Sequence, residues 1–216
     1  MIVFLILAYT FIPPAVLYFC LNEIYQKKSK YGWHIIYLIK FLIVLSFLPL
    51  LSIQGLNFGF IPAKDYSIIL FIVTVLASVV GIKQAISKKV VYFYIGGIYA
   101  SFMEEILFRG IIFGLAQLVW NNIYISVAVS SLAFGIWHLK NIAWHGVKKS
   151  IIQFFYTAFI YGPIFCLMRI YTQDLYLVIF FHYITDATVA LAPNWMRGWL
   201  VYGGRDKYDL DNYTSN

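Results

Sequence analysis

Three charged residues, two of them adjacent carboxylates, stand inside a long apolar stretch of the sequence. Glu104, Glu105 and Arg109 all lie within the run Val90–Trp120. On insertion scales a charge at the centre of a membrane helix costs roughly 2.5–3.5 kcal/mol, so such residues are functional candidates. Glu105 and Arg109 are four positions apart and share a helix face, whereas Glu104 points about 100° away. The spacing predicts an ion pair between Glu105 and Arg109 that leaves Glu104 facing a cavity. A purely structural ion cluster is the alternative.

Two further apolar runs carry imidazoles. Ile123–Leu139 ends in His138, and Leu175–Ala192 holds His182 with Asp186 one helical turn later. Two imidazoles and a carboxylate suit the activation of water, with the carboxylate as general base and His138 sharing the proton. His182 and Asp186 could contact the oxyanion of a tetrahedral intermediate. An ionised Asp186 cannot donate a hydrogen bond, so it would act protonated or by orienting His182.

The same residue types also raise the question of a metal. Glu104, His138 and His182 are chemically reasonable zinc ligands, but the sequence has no His-Glu-x-x-His helix. We therefore expect no cofactor, with zinc as the alternative. No Ser or Cys stands beside a base in a comparable pattern, which disfavours an acyl-enzyme. Asn141, three residues after His138, is a candidate to orient the His138 ring.

The composition decides the class of protein. Of the 216 residues 62% are hydrophobic and only 12% are charged, and the mean hydropathy is +0.80. Soluble domains have about 25% charged residues. The charge is too low for a soluble globule, a disordered chain or a nucleic-acid-binding arm. The composition instead predicts an all-α, polytopic bundle of transmembrane helices.

Seven apolar runs suggest about seven helices. They are Ile2–Leu21, Ile35–Ile53, Tyr66–Ile82, Val90–Trp120, Ile123–Leu139, Ile151–Ile170 and Leu175–Ala192. Most Lys and Arg residues fall in alternate connections and in the tail: Lys27, Lys28, Lys30, Lys83, Lys88, Lys89, Lys140, Lys148, Lys149, Arg197, Arg205 and Lys207. The positive-inside rule then predicts an outside N-terminus and a cytoplasmic C-terminus. We expect one transmembrane domain over residues 1–192 and a polar cytoplasmic tail over 193–216.

Three motifs, taken in order, resemble those of a known family. They are Glu104-Glu105-x-x-x-Arg109, Phe134-x-x-x-His138 and His182-x-x-x-Asp186. This order on membrane helices is similar to the CPBP family, the CAAX proteases and bacteriocin-processing enzymes, also called the Abi family. The motif-bearing core would span about residues 90–192. The resemblance implies an intramembrane endopeptidase fold.

The resemblance also implies roles for individual residues. Glu104 and His138 would activate water, and His182 and Asp186 would bind the oxyanion. Glu105 and Arg109 (the remaining members of the first motif) would be supports. Asp186 stands where the prenyl-protein proteases of the family have Asn, so the oxyanion role and CAAX substrates transfer less directly than the rest.

Three functions remain open at this point. The first is a peptidase that acts on a membrane-associated peptide or protein. The second is a non-catalytic bacteriocin-immunity protein with the same fold, and the third is a transporter that uses the buried carboxylates. The expected partners are the lipid bilayer and a peptide or protein substrate, without nucleic acid. The expected location is a bacterial cell membrane.

Overall fold

The described chain is helical and contains seven main helices, as the seven apolar runs predict. The computed structural model describes residues 1–27, 32–88 and 101–191, and no β-strand occurs within them. The helices are α1 (Ile2–Lys27), α2 (Gly32–Leu45), α3 (Asp65–Lys88), α4 (101–120), α5 (123–145), α6 (147–172) and α7 (Tyr176–Leu191). A short 3₁₀ helix, Leu48–Ser52, follows α2.

The outer surface of the bundle suits contact with lipid. Three of the described helices contain segments long and apolar enough to cross a membrane: Ile2–Glu23, Ile123–Asn141 and Val147–Thr172. Large apolar side chains such as Phe4 and Leu167 remain exposed. These features confirm the prediction of a transmembrane helix bundle. The orientation of the two termini stays a prediction, and the proposed tail, 193–216, lies outside the described residues.

Small residues bring α5 and α6 close together. A Cβ atom placed on Gly135 would lie 2.7 Å from the Cβ of Ala158, and one on Gly162 would lie 2.7 Å from the Cβ of Ser131. Small residues at such contacts let helix backbones approach closely in membrane proteins. Helix α5 also packs against α1 and α4, so His138 lies on a helix that is in contact with the one that carries the glutamates.

Helix α4 is irregular where it carries its charges. Residues 101–105 are α-helical, Ile106–Ile112 form a π-helix and Phe113–Trp120 return to α-helix. Single π-helical turns are rare and frequently occur at functional sites. The widened turn begins directly after Glu105 and contains Arg109. It is therefore a local feature of the site and not of the helix as a whole.

An extended segment, residues 53–64, connects the 3₁₀ helix to α3. It packs against α4 and is hydrogen-bonded to the turn before α7. The segment lies so close to α4 that a Cβ on Gly114 would come within 2.7 Å of Leu56 Cδ1. The buried carboxylate of Asp174, in the turn before α7, accepts hydrogen bonds from Ala63 N (2.9 Å) and Ser67 Oγ (2.5 Å). These contacts fix the helices that carry the glutamates and His182 relative to each other.

Candidate active site

The ion pair that the sequence predicts on α4 is present and fully buried. Arg109 Nη1 lies 3.1 Å from Glu105 Oε1, and both side chains are inaccessible to solvent. The other end of the guanidinium, Nη2, donates to the carbonyl oxygen of Gly162 at 3.4 Å. Its central carbon lies 4.2 Å from the ring centroid of Phe134. Arg109 therefore ties α4 to both α5 and α6.

His182 joins this pair from α7. Its Nδ1 lies 2.5 Å from Glu105 Oε1, the oxygen that Arg109 also contacts. A carboxylate that is ion-paired to a guanidinium can only accept, so we assign the proton of this contact to Nδ1. The sequence predicts only the Arg109 contact for Glu105. The structure adds His182 as a second partner and thereby fixes the direction of its ring.

Glu104 has different surroundings from its neighbour, although both are buried. Its Oε1 accepts a hydrogen bond from Trp137 Nε1 at 2.8 Å. Its Oε2 lies 3.9 Å from His182 Nε2, a separation too long for a direct hydrogen bond and suitable for a bridging water. The two adjacent carboxylates therefore have different contacts: Glu105 meets Arg109 and His182 through Oε1, and Glu104 directs Oε2 towards an imidazole.

His138 is held by its own helix. Its Nδ1 lies 2.8 Å from the carbonyl oxygen of Phe134, and because a carbonyl only accepts, Nδ1 carries the proton. In the neutral ring the lone pair is therefore on Nε2. The ring of Phe134 lies 4.8 Å from the His138 ring and 5.9 Å from the His182 ring. One aromatic side chain thus lies beside both imidazoles.

Asn141 is not the residue that orients His138. Its amide nitrogen donates to Gln153 Oε1 at 2.8 Å, whereas the His138 ring is held by Phe134 O. The reason is a change of helix type, because Leu139–Asn141 form a 3₁₀ turn and direct Asn141 towards α6. The structure therefore brings five predicted residues together: Glu104, Glu105, Arg109, His138 and His182. Asp186 follows His182 by one turn on α7, and its side chain lies outside the described residues.

Two residues that the sequence interpretation did not select are also part of the site. Trp137 is fully buried and contacts Glu104. Lys140, placed by the sequence pattern in a basic connection, is only 7% exposed. Its Nζ lies 4.0 Å from the centroid of the Trp137 ring. The sequence feature that could have indicated this contact is the three-residue spacing of Trp137 and Lys140, because side chains three positions apart eclipse each other in a 3₁₀ turn.

The described side chains contain no ready-made metal centre. Within the described ranges, no three His, Cys, Asp or Glu side chains are grouped as they would be to hold a metal ion. The atoms that would turn towards a zinc ion are Glu104 Oε2, His138 Nε2 and His182 Nε2.

Residues 86–188 match the model of a family described as type II CAAX prenyl endopeptidase Rce1-like. The matched segment contains all three motifs, and the match agrees with their resemblance to the CAAX proteases. No curated protein and no solved structure matches the chain.

Proposed function

We propose that this chain is an intramembrane endopeptidase of the CAAX-protease and bacteriocin-processing type. It cleaves a membrane-associated peptide or protein with water activated by Glu104 and His138. The observation that carries the proposal is the difference between the two adjacent carboxylates. Arg109 and His182 both contact Oε1 of Glu105, whereas Glu104 Oε2 faces His182 Nε2 across 3.9 Å.

Glu104 is the general base in this mechanism. Trp137 holds Oε1, so Oε2 receives the proton when the water oxygen attacks the carbonyl carbon of the scissile peptide bond. His138 accepts a hydrogen bond from the same water through Nε2, because its Nδ1 is committed to Phe134 O. A positioned general base contributes roughly 100- to 10,000-fold to a hydrolytic rate. The proton then passes to the leaving amine as the C–N bond breaks.

His182 stabilises the oxyanion. With Nδ1–H bound to Glu105 Oε1, a ring that is protonated on both nitrogens presents Nε2–H as a donor to the oxyanion. Asp186, one turn later on α7, acts with His182, as the resemblance implies. Glu105 and Arg109 support the site without contacting the substrate. No cofactor is part of the proposal; zinc, if bound by Glu104, His138 and His182, would supply an activated water in the same place.

The substrate is a peptide or protein associated with the lipid bilayer. The protein is a multi-pass protein of a bacterial cell membrane, with its C-terminus in the cytoplasm, and its partners are lipid and the substrate polypeptide. The membrane setting follows from the apolar helices and their exposed apolar surface. The orientation follows from the alternation of Lys and Arg between connections.

Cleavage by the purified protein in lipid nanodiscs tests the proposal. The substrates are a library of peptides with a single membrane anchor and the same peptides without the anchor, and mass spectrometry identifies the new termini. We expect cleavage of anchored peptides that is lost in Glu104→Gln and retained in Glu23→Gln, the same change at an exposed position on α1. Binding of anchored peptides without cleavage would contradict the proposal and favour an immunity protein.

A further inference from the structure

The position of Lys140 is unexpected for a residue at the end of a membrane helix. Its side chain is buried instead of extending into a basic connection. Burying an ammonium is costly unless other groups compensate the charge. Lys140 Nζ donates to the carbonyl oxygen of Trp137 at 3.2 Å and lies 4.0 Å from the centroid of the Trp137 ring. Both contacts go to one residue.

The side chain of Trp137 in turn has a single hydrogen-bonding group, the indole N–H. That group donates to Glu104 Oε1 at 2.8 Å, and the side chain is fully buried. The ring also packs edge-on against Phe108 at 5.9 Å, so it is held by an aromatic neighbour as well as by the ammonium. Lys140 and Glu104 therefore both contact the side chain of Trp137.

We propose that Trp137 and Lys140 are positioning residues for Glu104. This inference rests on the proposed role of Glu104 as general base. Lys140 holds the indole by a cation–π contact and a carbonyl hydrogen bond, and the indole N–H holds Oε1 of Glu104. Because one carboxylate oxygen is fixed, the other keeps a constant direction towards the gap between Glu104 and His182, where the proposed water would bind. Neither residue contacts the substrate.

Packing alone does not account for this arrangement. A phenylalanine would fill the space of a buried aromatic ring without a donor that needs a partner. A lysine at a helix end can also extend its ammonium into water, yet Lys140 lies over the ring whose N–H holds the glutamate. The Trp137 ring thus contacts Lys140 on its face and Glu104 through its N–H. The free oxygen of Glu104, Oε2, is directed towards His182.

An NMR experiment tests the linkage without an activity assay. The full-length protein, labelled with ¹⁵N at its six tryptophans, is reconstituted in nanodiscs, and the indole resonance lost in Trp137→Phe is assigned to Trp137. We expect this resonance to shift in Glu104→Gln and in Lys140→Met, and to stay in place in Lys148→Met, which changes an exposed lysine. An unchanged resonance in Glu104→Gln or in Lys140→Met would overturn the proposal.

Kinetics on an anchored peptide separate positioning from folding. We expect Trp137→Phe to lower kcat roughly 100-fold with little change in KM, as misplacement of a catalytic group does. Trp120→Phe, the same change at a partly exposed position, should leave both constants unchanged. Lys140→Met should also lower kcat, and Lys140→Arg should restore part of it because a guanidinium keeps a cation on the ring.

A double-mutant cycle makes the failure of this inference distinguishable from failure of the proposed function. Glu104→Asp withdraws the carboxylate from the indole, so Trp137→Phe should have little further effect in that background. An equal loss of kcat in both backgrounds would show that Trp137 does not act through Glu104. If the wild-type protein cleaves no peptide, the proposed function fails, and the NMR shifts still decide whether Lys140, Trp137 and Glu104 are linked.

Discussion

His182 Nδ1 lies 2.5 Å from Oε1 of Glu105, a contact that joins α7 to α4 across 77 residues of sequence. The same oxygen receives Arg109 Nη1 at 3.1 Å. Glu105 is therefore shared between a structural cation and an imidazole of the proposed site. This sharing supports the separate tasks that we propose for the two adjacent glutamates: Glu105 orients His182, and Glu104 acts on water.

Glu105→Gln should reduce activity less than Glu104→Gln does. The Gln amide oxygen can still accept from His182 Nδ1, but it cannot stabilise a charged ring as a carboxylate does. We expect kcat on an anchored peptide to fall by about 10- to 100-fold, within the range seen when a group that orients a catalytic ligand is changed. A loss equal to that of Glu104→Gln would contradict a supporting role.

Arg109→Ala should impair folding as well as catalysis. Removing one partner of a buried ion pair leaves an uncompensated charge and costs about 3–5 kcal/mol. The substitution also removes the link between α4 and Gly162 O on α6. Thermal unfolding of the purified variant should show a lower midpoint and the yield of folded protein should fall. Normal yield and unchanged unfolding would rule out a structural role for Arg109.

Asp174→Asn should lower stability while leaving the chemistry intact. The Asp174 carboxylate accepts from Ala63 N, Ser67 Oγ and Tyr176 N, and an asparagine replaces one of its two oxygens with a donor. Leaving buried donors without an acceptor costs about 1–3 kcal/mol each. Asp65→Asn, at an exposed position on α3, is the control. A wild-type unfolding midpoint in Asp174→Asn would show that the hydrogen bonds of Asp174 to Ala63 and Ser67 do not stabilise the fold.

The proposed mechanism predicts that activity needs no metal. Cleavage of an anchored peptide should continue after treatment with a chelator, and elemental analysis of the purified protein should give well below one metal per chain. A zinc enzyme would lose activity on chelation, since its nucleophile is a metal-bound water. Zinc at one per chain with chelator-sensitive cleavage would overturn the water-activation step and leave the peptidase assignment in place.

The sequence predicts the helices and the ion pair between Glu105 and Arg109 well, because both depend on residues that are close together in the sequence. Apolar runs indicate the helices, and the four-residue spacing indicates the contact between Glu105 and Arg109. The contact between Glu105 and His182 joins distant positions, so no local pattern encodes it. The sequence prediction for Lys140 was wrong for a different reason. Its charge suggests a connection that faces water, but the 3₁₀ turn at Leu139–Asn141 directs the side chain into the bundle.

The measurement that tests the role of Glu104 most directly is single-turnover cleavage of an anchored peptide by Glu104→Gln. Glutamine keeps the shape of the side chain and can still accept from the Trp137 indole, but it cannot take a proton from water. Peptide binding and thermal unfolding should match the wild-type protein, and the cleavage rate should fall by roughly 100- to 10,000-fold. Glu23→Gln should cleave at the wild-type rate. A wild-type cleavage rate in Glu104→Gln would contradict the assignment of Glu104 as the base.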